Sequence, residues 1–429
     1  MPGRSEAHER LLRRAATVLG GCLGSFRLPD DVAIVLARGA GSHVYDVDGR
    51  EYIDYLLGSG PLLIGHAHPA VVAAVQRQAA LGSTFYTLNE PIVELAERLI
   101  EAIPCAEQVK LVSTGTEATL HALRIARAYT GKPAVLKFEG GFHGVNDYAL
   151  MSALAARPTD YPTPIPDSAG IPSAVEADVL VARWNDPDLL DALVATHADR
   201  LAAVICEPLQ RALVPAPGFL RTLREVTERY GVLLIFDEIV TGFRLAYGGA
   251  QERYGVVPDL ATYGKAIGGG YPLAAIAGRA EIMAVADPTR RGRAPLAHLG
   301  GTFNGNPIGA VAGLATLEVL RQPGSYERLY AVTERLTSGL RALAAERGIP
   351  LTISGDGPLF QVFFTDQPVA DYPGVLASDR ARARAFGLAC LARGLFVNPG
   401  EKFYVSLAHT DADVERTLAI FADALDAVA

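Results

Sequence analysis

Residues 232–272 read VLLIFDEIVTGFRLAYGGAQERYGVVPDLATYGKAIGGGYP. The stretch opens on five apolar residues and then two carboxylates, Asp237 and Glu238, so a fully buried strand delivers at least one acid to the mouth of a core. A second β-like run leads to Lys265, 28 positions beyond Asp237, with glycines at 268–270. Glycines let a ligand approach the backbone where a side chain would collide. Alone, the acids suit a solvated pair and the lysine a surface group. Together they form a candidate Schiff-base lysine with an electron-sink partner.

Outward from this stretch, amphipathic helical patterns alternate with short apolar runs: KLVST at 110–114, AVLKF at 134–138 and LAAVICE at 201–207. Such spacing predicts an α/β fold with a mostly parallel central sheet, and ligands bind such sheets at the carboxyl ends of the strands. The segment STGTEA at 113–118 runs from a strand into an amphipathic helix. Backbone N–H groups and hydroxyls there suit a phosphate, while an ordinary cap, with Thr114 as N-cap and Glu117 completing a capping box, explains the same letters.

Nearer the N-terminus, residues 7–19 suit a short helix, followed by an irregular Gly- and Pro-containing stretch at 21–31. HVYDVDGREYIDY at 43–55 suits a hairpin with Asp48-Gly49 as a two-residue turn. A long helical pattern at 308–320 leads to a smaller region containing LTISG, LFQVFF and LFVNPG. The expected units are an N-terminal segment over 1–60, a large cofactor-binding domain over 61–310 and a C-terminal domain over 311–429. Residues 156–174 hold five prolines and suit a long loop, either a lid or a surface excursion.

The chain has 429 residues, half of them apolar, and its 39 basic against 47 acidic side chains leave a net charge of −8. No basic run forms a phosphate-backbone stripe, which argues against nucleic acid. Cys22, Cys105, Cys206 and Cys390 are scattered without a CxxC pair, so no metal knuckle or disulfide framework is expected. The first residues lack an apolar signal core, and no apolar run reaches the ~20 residues needed to cross a bilayer. A cytoplasmic protein without a membrane partner is the simplest reading.

In order and spacing, STGTEA, FEGGFHG, ICEPLQ, FDEIVTGFR, TYGKAIGGGYP and GGTFNGNP resemble the class III pyridoxal-phosphate aminotransferases, from about residue 38 to 409. YDVDGREYIDY, GPLLIGHAHP, LRIARAYTG and SLAHTDAD resemble most the glutamate-1-semialdehyde 2,1-aminomutase branch and its transaminase relatives. The resemblance implies the fold type I architecture of pyridoxal-phosphate enzymes, with a mostly parallel central sheet and a smaller C-terminal α/β domain. It also implies pyridoxal 5'-phosphate as cofactor, an amino donor and a carbonyl acceptor as small-molecule partners, and a homodimer with active sites at the interface.

By the same resemblance, Lys265 carries the cofactor and shuttles a proton, and Asp237 pairs with the pyridine nitrogen. Thr114, Gly115 and Thr116 serve the phosphate, Phe142 and Ile239 cover the two ring faces, and His143 belongs to the cofactor contacts. Glu207 sits toward the substrate, Thr302 reaches the partner's phosphate, and Arg27 and Glu401 approach the substrate's carboxylate. Two departures separate the chain from enzymes acting on glutamate semialdehyde: Phe142 stands where those carry Tyr, and the segment at 58–60 lacks their Trp. The expected activity is a ping-pong aminotransferase. An intramolecular aminomutase is the alternative, and a noncatalytic protein of this fold a remote one.

Overall fold

A computed structural model describes residues 3–23 and 27–429, so positions 24–26 of the irregular stretch lie outside the described residues. The chain divides into two compact units, one of residues 69–326 with 368–377, the other of 1–68, 327–367 and 378–429.

The larger unit is built on a seven-stranded sheet: Gln108–Val112 (β1), Ala134–Phe138 (β2), Val179–Ala182 (β3), Leu201–Cys206 (β4), Leu233–Glu238 (β5), Leu260–Tyr263 (β6) and Ala274–Gly278 (β7). Their spatial order is β1-β7-β6-β5-β4-β2-β3. All neighbours run parallel except β7, which is antiparallel to both β1 and β6. Every residue of β2 to β7 is buried. That explains continuous apolar runs rather than alternation, because helices cover both faces. On one face Ala118, Ala122 and Ile125 of the helix Gly115–Thr130 pack with Val135, Ile205, Ile235 and Ile276 in a single core. The helix stops at Gly131, which takes the left-handed conformation that favours glycine. β1 spans 108–112 rather than 110–114 because Ser113 and Thr114 are drawn into the helix cap.

The helix Pro307–Leu320 lies wholly within this unit, past the boundary expected at 310. It is apolar on nearly all sides, so it must be enclosed. A Cβ on its Gly313 would come within 2.3 Å of the Ile267 carbonyl, so this glycine lets the helix backbone press against the turn that carries Lys265.

In the other unit, Leu36–Ala40, His43–Asp46 and Glu51–Asp54 form an antiparallel sheet, to which Leu395–Phe396 adds in parallel. The hairpin closes with three residues, 47–49, rather than two: Asp46 N–H bonds the Arg50 carbonyl and Gly49 has φ 82°. The Asp46 carboxylate decides this, since one oxygen accepts from both Asp48 N–H and Arg50 N–H at 2.9 Å. Thr352–Gly355, Leu359–Phe363 and Phe403–Tyr404 make a second antiparallel sheet. The N-terminal helix covers only Glu6–Arg14 before giving way to short 3₁₀ turns. No described helix is long and apolar enough to cross a membrane.

Candidate active site

Adjacent residues of a strand point to opposite faces of the sheet, so Asp237 and Glu238 at the end of β5 cannot serve one site. Glu238 is fully buried and accepts from Thr241 and Tyr263 hydroxyls, the Gln251 side chain and Ala250 N–H. Burial raises its pKa against those four donors, and it acts as a structural tie. Asp237 is 3 % exposed and faces a different set of partners. His143 Nδ1–H donates to one oxygen at 2.7 Å, while Thr262 Oγ1 and Ile239 N–H donate to the other at 3.1 Å each. Three donors hold the carboxylate in one orientation, as an acceptor of fixed direction requires.

Thr262 stands directly opposite Asp237 in the β5–β6 pairing, and Lys265 follows three residues later. Lys265 opens the 3₁₀ turn Lys265–Gly268 and is half-buried, with φ 48°. A non-glycine residue in that region costs roughly 1–2 kcal/mol, so the surrounding packing fixes the lysine's direction. The preceding Gly264 is closely backed by Ile239, whose Cδ1 would stand 3.0 Å from a Cβ there and would have to shift to admit one. The same methyl stands 3.1 Å from where a Cβ of Gly115 would be. Ile239 therefore packs between the start of the helix Gly115–Thr130 and the lysine turn.

At that helix start Thr114 is the N-cap, its hydroxyl accepting from Glu117 N–H at 3.1 Å. The capping box is displaced by one residue: the Glu117 carboxylate takes Ser113 N–H, not Thr114 N–H, and also Asn304 Nδ2. Gly115 and Thr116 occupy the first helical positions, whose N–H groups have no intrahelical partner and favour an anion. The segment after Phe142 closes over them. Val145 N–H donates to Thr116 Oγ1, and Thr119 Oγ1 donates to the His143 carbonyl at 2.6 Å. Thr116, Thr119, His143 and Asp237 thus belong to one bonded network.

Phe142 is half-buried, and its N–H donates to Glu207 Oε1 at 2.8 Å. The other Glu207 oxygen accepts from Arg211 N–H, so this buried acid brackets two backbone segments. Arg211 has φ 60°, and its guanidinium stands 5.7 Å from the centre of the Phe142 ring. Thr302 is exposed in a loop tied down by Asn304, which bonds Ser113 and Glu117, and by Asn89 on Gly305. Arg27 and Glu401 belong to the other unit: Arg27 is exposed and pairs with Asp30 at 3.4 Å, and Glu401 is half-buried. The structure therefore brings together Lys265, Asp237, His143, Ile239, Gly115, Thr116, Phe142 and Glu207 in one unit.

Sequence reasoning passed over Lys137, Thr262, Asn304 and Arg211. Lys137 carried a signal, since a lysine inside the apolar run AVLKF must find partners when buried. The donor set suits pyridoxal phosphate: an anion site at a helix N-terminus, a lysine at the next turn and a carboxylate held by donors on its outer side. A cluster of His8, Asp46 and Asp48 has the shape of a cation site, but both His8 nitrogens are taken, one by Asp48 and one by Val35 N–H.

The sequence model of the family Aminotransferase class-III matches residues 27–425. Over 414 residues the chain is 43% identical to a glutamate-1-semialdehyde 2,1-aminomutase of Desulfitobacterium hafniense (strain DSM 10664 / DCB-2), covering 94% of each chain. It is 45% identical over 390 residues to one of Desulforudis audaxviator (strain MP104C), covering 90% of this chain and 88% of that one. An omega-transaminase from Sphaerobacter thermophilus superposes with a TM-score of 0.93 at 39% identity, over 100% of this chain and 98% of that one. A glutamate-1-semialdehyde-aminomutase from Pseudomonas aeruginosa PAO1 gives 0.89 at 27% identity, over 99% and 95%.

Proposed function

The chain belongs to the class III aminotransferases, enzymes of fold type I that work with pyridoxal phosphate, and on that premise we propose that it moves an amino group from an amino acid or amine donor to a separate carbonyl acceptor in two half-reactions. The observation that carries this reading is the Asp237 carboxylate, held by three donors and paired across the sheet with Thr262, which precedes Lys265 by three residues. Bound pyridoxal phosphate supplies an electron sink for charge developing at the substrate's α-carbon. The residues supply the rest. Asp237 pairs with the ring nitrogen, and His143 and Thr262 keep Asp237 aimed. Lys265 Nζ carries the cofactor and moves the proton at the substrate's α-carbon. Gly115 and Thr116 hold the phosphate, and Phe142 and Ile239 flank the ring.

In the same reading a second copy of the chain completes the site, with Thr302 reaching its partner's phosphate. Leu81, Tyr86 and Leu88, close together in sequence, and Phe303, next to Thr302, are exposed large apolar side chains that such a partner would cover. Arg27 and Glu401 serve the substrate's carboxylate. Phe142, and the absence of Trp from residues 58–60, favour a transaminase over the semialdehyde aminomutase. The identity of 43–45% to curated aminomutases supports the second reading, in which donor and acceptor carbons belong to one molecule.

One experiment separates the two. Holoenzyme is mixed with a panel of amino donors and no acceptor, and conversion of the cofactor to its pyridoxamine form is followed. A donor that converts it, with turnover restored by an added carbonyl acceptor, supports the transaminase. Formation of 5-aminolevulinate from glutamate semialdehyde or 4,5-diaminovalerate with no added donor refutes it in favour of the aminomutase.

A further inference from the structure

Lys137 lies at the fourth position of β2 and is 1 % exposed. A buried ammonium has three N–H groups to satisfy. Here each finds a main-chain carbonyl: Gly141 O at 2.9 Å, Ala149 O at 2.8 Å and Met151 O at 2.6 Å. All three acceptors belong to the irregular segment that follows β2, which carries Phe142 and His143. Among the described residues Lys137 makes no ion pair. The acids that act on it from a distance are Asp167 and Glu207, and both carboxylates are committed to backbone N–H groups, of Ala153 and Leu154 and of Phe142 and Arg211.

We propose that Lys137 is a positioning residue for the cofactor: its ammonium, by joining the carbonyls of Gly141, Ala149 and Met151, fixes the loop that aims His143 at Asp237 and lays Phe142 beside the ring. This rests on assigning Phe142 and His143 to the cofactor. The path is short, because the Gly141 carbonyl begins the peptide bond to Phe142, and His143 bonds Asp237 at 2.7 Å. Only a three-donor cation satisfies three convergent carbonyls. A neutral amine offers two donors and turns its lone pair toward the third acceptor, leaving that carbonyl buried without a partner.

Burial lowers the Lys137 pKa to about 8 from its ordinary 10.5, with Asp167 and Glu207 opposing the shift. The consequence is local. Between pH 8 and 10.5 the unfolded chain keeps a proton that the fold has released, so this group's contribution to global stability rises with pH there. The loop loses its third donor over the same interval.

The test is binding of pyridoxamine phosphate, which cannot attach to Lys265, to cofactor-free protein at pH 7 and 9.5, beside hydrogen exchange of peptides spanning 140–151 in the wild type and Lys137→Gln at pH 7. Wild-type affinity for pyridoxamine phosphate should fall as pH rises through about 8, and Lys137→Gln should bind weakly already at pH 7 and lack the alkaline step. Protection of 140–151 should be about tenfold lower in Lys137→Gln, the loss of roughly one hydrogen bond, while peptides covering β4 stay unchanged. A wild-type affinity that is the same at pH 7 and 9.5 overturns the proposal whether or not Lys137→Gln folds. So does an alkaline step that persists in Lys137→Gln, or wild-type protection of 140–151 in that variant. Loss of protection in Lys137→Gln without any change in its pyridoxamine phosphate binding overturns the cofactor role and with it the assignment of Phe142 and His143.

Discussion

Gly144→Ala tests the contact between the Phe142 loop and the phosphate end of the site. Gly144 has φ 88°, and a Cβ built on it would lie 2.5 Å from Thr116 Oγ1 and 2.7 Å from Thr116 Cα. The backbone conformation alone costs roughly 1–2 kcal/mol for alanine. The overlap adds about 1–3 kcal/mol, because Cα of Thr116 sits in the first turn of a helix and cannot rotate away as a side chain could. Relief requires either the helix start or the 143–145 segment to move, and both carry groups assigned to the cofactor. If about half of the roughly 2–5 kcal/mol total is felt when the phosphate binds, the Kd for pyridoxal phosphate rises about five- to sixtyfold. Gly170→Ala is the control, since Gly170 has φ 90° and nothing within 4 Å of its Cβ position. Titration of cofactor-free protein by absorbance, beside thermal unfolding of the same samples, separates binding from stability. A wild-type Kd for Gly144→Ala, or an equal loss in Gly170→Ala, refutes the reasoning.

Lys265→Ala should abolish turnover, and borohydride reduction with peptide mapping should place the label on Lys265. Of the five lysines in the chain, Lys137 is committed to three carbonyls, and label there would reverse the assignment. Asp237→Asn should keep the cofactor but slow turnover about a hundredfold or more, since roughly 2.7 kcal/mol of charge stabilisation is lost. An amide has one acceptor oxygen for three donors: turned to His143, that oxygen leaves the NH2 facing Ile239 N–H and Thr262 Oγ1, and turned to those two it leaves the NH2 facing His143; near wild-type rates exclude the role. Thr302→Ala should weaken cofactor retention in a dimer by sedimentation, and a fully active monomer contradicts this. Burial lowers the His409 pKa to about 4, below its unfolded value of 6.5. The unfolded chain therefore takes up a proton first as pH falls, and about 3 kcal/mol should be lost between those values. Urea unfolding at pH 7 and 4.5 should show a smaller acid loss in His409→Asn.

Much of the larger unit was legible because its strands are buried on both faces. AVLKF, LAAVICE and VLLIFDE became β2, β4 and β5 within a residue of their expected ends. β7 was harder, since LAAIAG lacks β-branched residues at most positions and is held as a strand by pairing on both sides. The hairpin turn failed for a local reason: the deciding group was the Asp46 side chain, two residues before the Asp48-Gly49 pair that turn statistics favour. Thr262 and Asn304 were passed over because each acts through a partner distant in sequence. A lysine in a strand shows that it needs acceptors, but not that they lie in the loop holding Phe142.

The two acids that end β5 show where such reading stops. As letters, Asp237 and Glu238 are equivalent, each a carboxylate after five apolar residues. Alternation along a strand sends them to opposite faces, but nothing in the run says which face carries chemistry. Their surroundings decide. Glu238 meets the residues 241–251 that return beneath it, and hydroxyl, amide and main-chain donors consume both its oxygens. Asp237 meets His143, brought in by a loop that Lys137 ties to a neighbouring part of the sheet, and Thr262, set opposite by the β5–β6 register. The glycines at 115 and 264, each backed against Ile239, keep the space beside it free of side chains of their own. A carboxylate becomes a candidate partner for a cofactor's ring nitrogen when its donors approach from the protein side only, and that condition belongs to the fold of 115–265, not to the dipeptide.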